Sequence, residues 1–150
     1  MMKLYFEAQV SSSVTEVKSQ FNQDLFLKLK PPLMSLKLER FDGCEKGHEV
    51  HLKMGLPGFL QNWVSQITDS SQTDDVWEFV DEGKILPPPL SYWRHIHRVE
   101  RMSETSSRIS DSIEYRCKSR VLEKLLWGPL WLSFSIRPGV YRQVFGRLNL

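Results

Sequence analysis

Cysteine is scarce in this chain. Cys44 and Cys117 are the only two among 150 residues, and they form no CxxC pair, which excludes a disulfide framework and a paired-cysteine zinc or redox motif. No signal-peptide pattern precedes them, since Lys3 and Glu7 interrupt the short start, so the expectation is a cytoplasmic protein with two reduced thiols. Long apolar runs are missing as well. The longest nearly uncharged stretch, Leu125 to Ile136, contains Gly128 and Pro129 and falls well short of the roughly 20 residues that a membrane-spanning helix needs. An excess of one charge is also lacking. The formal net charge is +2, with basic and acidic residues mixed along the chain, and no Lys/Arg block is present to track a phosphate backbone, so nucleic acid is not an expected partner. A glycine-rich phosphate loop, GxSxG and HExxH are all absent, and the standard nucleotide, serine-hydrolase and zinc-peptidase chemistries therefore lack their groups.

What is present fits one globular domain over residues 1–150, with 41% hydrophobic and 25% charged residues. Leu4, Phe6, Ala8 and Val10 alternate with polar neighbours, the period of a half-buried strand. Ser13 followed by Glu16 fits a capping box, and Val14, Val17 and Phe21 then share one face of a short helix. Leu25, Phe26 and Leu29 indicate a second short helix, which Pro31-Pro32 ends. Alternation returns at Met34, Leu36 and Leu38, and again at Val50, Leu52 and Met54, reading as a hairpin about Asp42-Gly43. Further alternating runs at 59–67, 76–81, 91–101 and 108–117 bring the strand count to seven. Leu122, Leu126, Leu130, Phe134, Tyr141, Phe145 and Leu148 step as one helical stripe. They predict a long C-terminal helix, with Gly128-Pro129 and Pro138-Gly139 as the places to kink it.

Alternation within Trp93-Arg94-His95-Ile96-His97 sends Trp93, His95 and His97 inward and Arg94 and Arg98 outward. Ile109, Asp111, Ile113 and Tyr115 form the inner face of the next strand. A tight connection near Glu104 sets Asp111 opposite His97, and Asp81 points inward with Trp77 and Phe79. Buried carboxylates and imidazoles must pair, so one reading is a satisfied polar network on a cavity wall. The other is a proton-transfer site, with an Asp fixing the tautomer of a His that titrates near neutrality; its candidate catalytic residues are His95, His97, Asp111 and Asp81. Two histidines at i and i+2 can share an ion, but the spacing shows no third ligand, so neither a metal nor another cofactor is expected. Trp127 and Trp131 lie four apart, off the main stripe, where they either pack on the sheet or meet a membrane surface or a protein partner.

These features resemble the SRPBCC or START-like superfamily, which includes polyketide cyclases, lipid-transfer domains and the major birch pollen allergen. The resemblance covers nearly the whole chain. Its marks are Lys30-Pro31-Pro32, Trp63, Phe79-Val80-Asp81, the WRHxH run from Trp93 to His97, Asp111, Tyr115, and Val144-Phe145-Gly146-Arg147. The WRHxH run with the later Asp is similar to a bacterial-type subgroup. The resemblance implies an α+β helix-grip fold, in which a seven-stranded curved antiparallel sheet, with two short helices after its first strand, wraps a long C-terminal helix. It further implies a cavity between sheet and helix for a hydrophobic small molecule, or alternatively for a cyclase or dehydratase reaction. The expected cavity residues are Leu36, Leu38, Leu52, Met54, Trp63, Phe79, Trp93, His95, His97, Asp111, Ile113, Tyr115, Leu130 and Phe134.

Overall fold

The computed structural model describes residues 1–149. The chain runs β1 (Met2–Val10), α1 (Val14–Ser19), α2 (Gln23–Lys28), β2 (Ser35–Phe41), β3 (Glu49–Leu56), β4 (Phe59–Gln72), β5 (Val76–Ile85), β6 (Leu90–Ser103), β7 (Ser106–Cys117), α3 (Arg120–Phe134) and α4 (Arg137–Phe145). The seven strands form one antiparallel sheet in the order β1-β7-β6-β5-β4-β3-β2. Consecutive strands from β2 to β7 are therefore hairpin neighbours, and β1 returns to pair with β7, leaving β1 and β2 as the two edges. The expected α+β helix-grip architecture is the one observed.

Local chemistry explains most of the boundaries. Ser13 Oγ accepts from Glu16 N–H at 3.1 Å while Glu16 accepts from Ser13 N–H at 2.8 Å, the reciprocal cap that starts α1. Asn22 caps α2 by accepting from Leu25 N–H. Pro57-Gly58 joins β3 to β4, with Gly58 at φ 85°, where an L side chain would be strained. β4 continues to Gln72, beyond the Ile67 at which the alternation stops being readable. Bulges between Val64 and Ser65 and between Ile67 and Asp69 reset its period.

The C-terminal helix breaks in a different place from either expected kink. α3 runs through Gly128-Pro129 without interruption and stops at Phe134. Pro129 and Leu125, whose carbonyl it cannot satisfy, lie on the exposed side of α3, where water can take the freed acceptor. Pro138 instead sits in the first turn of α4, the position where its missing N–H costs nothing. The predicted single stripe is accordingly two stripes. Leu126, Leu130 and Phe134 pack toward the sheet from α3, Tyr141 and Phe145 from α4, Leu122 remains 37% exposed, and Leu148 lies past the end of α4. α3 packs on β7 and β1, and α4 on β1, so the helices cover one side of the inner face. The space over β2 to β6 is left for a cavity.

Candidate functional site

Three neighbouring strands bring the polar residues together. The register pairs Asp81 with His95 across β5 and β6, and His97 with Asp111 across β6 and β7. Trp93, His95 and His97 are buried, and Arg94 and Arg98 lie on the solvent side of β6, as alternation requires. The hydrogen bonds run diagonally to the register. His95 Nε2 meets Asp111 Oδ1 at 2.8 Å, and His97 Nε2 meets Asp81 Oδ2 at 2.9 Å. The two imidazoles stand 3.7 Å apart between centroids, and His97 stacks on Phe79 at 4.3 Å and 9°. Each imidazole lies between the carboxylates of Asp81 and Asp111. His97 Nδ1 is 3.2 Å from Asp111 Oδ1 but lacks the alignment of a hydrogen bond.

Two residues that the sequence does not place in the cluster complete it. Arg137 Nη1 donates to Asp111 Oδ1 at 3.0 Å, and Tyr141 OH donates to Asp111 Oδ2 at 2.9 Å. Both come from α4, one turn apart on its buried face. A signal for Arg137 does exist in the sequence: it falls on the stripe Leu130, Phe134, Tyr141 as its one charged member, and a charge on an apolar stripe requires a buried partner.

Charge balance assigns the protonation states. Burial raises Asp111, but the Arg137 guanidinium and the His95 and His97 contacts outweigh it and hold its carboxyl well below the usual range. Burial likewise raises Asp81, and the His97 bond with the neighbouring cations brings it below its ordinary value. Burial depresses His97, yet the flanking Asp111 and Asp81 raise it overall. His95 is pushed down to about 4 by burial and by the charge of His97, despite its bond to Asp111. Between about pH 4 and 6.5 the cluster therefore holds two carboxylates, the Arg137 and His97 cations and a neutral His95, with no net charge. The His95–Asp111 bond assigns the His95 proton to Nε2 and leaves Nδ1 as an acceptor.

A pH dependence follows with a definite sign. As pH falls through 6.5 an unfolded chain protonates His95, whereas the folded protein resists until about 4, so stability is lost across that window, by about 3 kcal/mol. The raised value of His97 acts oppositely: its contribution is complete below 6.5 and is lost as pH rises through the folded value. The melting temperature is expected to peak near pH 6.5 and to fall toward pH 4, with the acid limb flattened in His95→Gln. A flat profile between these values would refute the assignment.

The cluster faces a cavity of about 320 Å³, at the lower end of small-molecule sites. Its walls are mainly apolar. Of the expected cavity residues, Leu36, Leu52, Met54, Trp63, Phe79, Trp93, His95, His97, Leu130 and Phe134 line it, and so do Asp81 and Arg137. Leu38, Asp111, Ile113 and Tyr115 do not. Asp111 lies behind the histidines, fully buried and reached by α4. Ile113 and Tyr115 are covered by α3, whose Glu123 carbonyl accepts from Tyr115 OH at 2.7 Å. Leu38 packs into the core at the sheet edge, beside the bulge that separates it from Arg40. The sequence-based reading missed Phe21, Leu25, Phe26 and Leu29, with which the α1–α2 region walls the cavity, and Pro87 to Pro89 at its rim. Cys44 also lines it, but burial pushes its thiol up to about 12, which leaves it a poor nucleophile.

Asp81, His95 and His97 place one ligand-type atom each within 4.8 Å of one another, so Asp81 supplies the third ligand that the spacing conceals. A divalent ion there would have to displace the His97–Asp81 bond and sit beside Arg137. The donor set fits a charge-balanced hydrogen-bond cluster better than a cation site.

No family model matches the chain, and no curated protein matches it. Solved structures do. The di-domain ARO/CYC BexL from the BE-7585A biosynthetic pathway aligns with 95% of this chain at 14% identity and a TM-score of 0.62, and the chain spans 46% of its length. Norcoclaurine synthase from Thalictrum, solved as a point mutant with a transition-state analogue, aligns over 95% of this chain and 93% of its own at 14% identity and a TM-score of 0.64. The Zhui aromatase/cyclase of Streptomyces sp. R1128 aligns over 95% of both chains at 12% identity and a TM-score of 0.61. With a seven-stranded antiparallel sheet packed against its C-terminal helices, the chain shares the helix-grip fold of these solved structures.

Proposed function

We propose that this is a cytoplasmic ligand-binding domain that carries a hydrophobic small molecule of lipid-like, isoprenoid or polycyclic type in the cavity beside α3. One observation carries the reading. An apolar wall from Leu36, Leu52, Met54, Trp63, Trp93, Leu130 and Phe134 meets a single polar cluster, Asp81, His95, His97 and Arg137. Such a wall supplies affinity through buried area, and a few convergent polar groups set orientation. The cluster offers both donors and acceptors without net charge, which suits a hydroxyl, phenol or carbonyl oxygen on the ligand better than an ionised group. The likeness to proteins named as aromatase/cyclases and to a synthase holding a transition-state analogue supports a small molecule as occupant.

A second reading, acid–base catalysis of cyclase or dehydratase type, is favoured by the opposite shifts of two adjacent imidazoles. Neutral His95 would serve as base and cationic His97 as acid. Mass spectrometry of the compound that copurifies with the protein, followed over time, separates the two. We expect that compound to be recovered chemically unchanged. Conversion that disappears in His95→Gln and His97→Gln would replace the carrier reading with the enzymatic one.

A further inference from the structure

The surface around the cavity rim has no part in the reading above. Antiparallel order gathers four connections at one end of the sheet: residues 29–34 before β2, the β3–β4 turn, residues 86–89 before β6, and residues 118–119 before α3. Lys30, Gln61, Pro88 and Pro129, all exposed, rim the cavity there. The same end carries large apolar side chains into solvent. Leu33 is 89% exposed, Phe59 78%, Leu56 61% and Ile85 53%. Leu33 moreover holds φ at 63°, a conformation glycine adopts without strain. α3 begins at this end and adds Val121 and Leu125, each 67% exposed. Single exposed apolar residues are ordinary, but several gathered on strand ends and connections at one end of the sheet mark an interaction surface.

Charge names the partner. Residues 29–36, 54–61, 83–91 and 116–126 contain Lys30, Lys84, Arg116, Lys118, Arg120 and Lys124 against one acid, Glu123. Glu123 is buried, accepting from Cys117 N–H and facing the N-terminal amine at 3.6 Å. Lys84 is paired with Glu49, and the other five cations form no ion pair among the described residues. Over the rest of the sheet the charges interleave, as where Arg98 meets Glu78 and Glu100 and Arg94 meets Glu82. A second copy seated on this end would set unpaired cations against one another. An anionic lipid surface would neutralise them and accept the apolar tips.

We propose that this end of the sheet docks on an anionic bilayer, with Leu33, Leu56 and Phe59 in the headgroup region and Lys30, Lys118, Arg120 and Lys124 over the lipid phosphates. Docking would place the cavity rim at the membrane surface. Trp127 and Trp131 lie to one side, stacked on each other, with Trp131 6.4 Å from Phe6 of β1.

Cosedimentation with phosphatidylcholine vesicles, with and without phosphatidylglycerol, tests this independently of any cavity ligand. Binding is expected only to the anionic vesicles and is expected to weaken as salt rises. Lys30→Glu with Lys124→Glu should reduce it on the order of 100-fold, and Phe59→Ser on the order of tenfold. Lys46→Glu, at the opposite end of the sheet, should leave it unchanged. All four positions are exposed, and circular dichroism checks that the variants remain folded. Three results would each overturn the proposal: no binding to anionic vesicles, equal binding to neutral ones, or an equal loss in Lys46→Glu. So would a concentration-dependent dimer that Phe59→Ser abolishes while vesicles go unbound.

Discussion

Replacing Asp111 with alanine is expected to lower the unfolding free energy by about 3–5 kcal/mol, the range seen when one partner of a buried ion pair is removed. Asp111 is fully buried and accepts from His95 Nε2, Arg137 Nη1 and Tyr141 OH. Its removal strands a buried guanidinium, an imidazole N–H and a phenol together. For a chain of this length the loss corresponds to a fall in melting temperature of roughly 10–15 °C. The distinguishing measurement is a double-mutant cycle by chemical denaturation. Arg137→Met added to Asp111→Ala should recover part of the loss, because the uncompensated cation goes with it. A single-variant loss below about 1 kcal/mol with no coupling to Arg137 would mean that α4 does not anchor the cluster as described.

Narrowing the cavity is expected to abolish most binding of a neutral apolar dye such as Nile red. Leu52 and Leu130 line opposite walls, on β3 and α3. Leu52→Trp or Leu130→Trp would exclude on the order of 100 Å² of apolar ligand contact, about 2.5 kcal/mol, and so weaken the dye on the order of 50- to 100-fold. Asp81→Asn and His97→Gln alter the polar cluster and leave the apolar wall in place, and each should change dye affinity by no more than about fivefold. Fluorescence titration with melting curves on the same samples reads both quantities. If the tryptophan variants fold and bind the dye like the parent, the cavity is not the binding site.

Alternation along β6 was enough to place Trp93, His95 and His97 on the buried face, because a strand has only two faces and Arg94 and Arg98 must take the wet one. The short Glu104-Thr105 turn then set the β6–β7 register, and with it the pairing of His97 with Asp111. Ser13 and Glu16 announced α1 for an equally local reason, since both cap hydrogen bonds close within four residues. Strand count, sheet type and the inward aim of the histidines are consequences of nearest-neighbour periodicity, and these the sequence by itself determined. Contacts between residues far apart in the chain are not periodic, and only the tertiary structure decided them. Packing sent the hydrogen bonds of His95 and His97 diagonally across the register, and α4 delivered Arg137 and Tyr141 to Asp111 from 26 and 30 residues away. The placement of the C-terminal helices over β7 and β1 gave Ile113 and Tyr115 to the core and left β2 to β6 to wall the cavity. Which buried residues touch a ligand depends on where the helices lie over the sheet, and that is set by the packing of whole surfaces rather than by any local pattern.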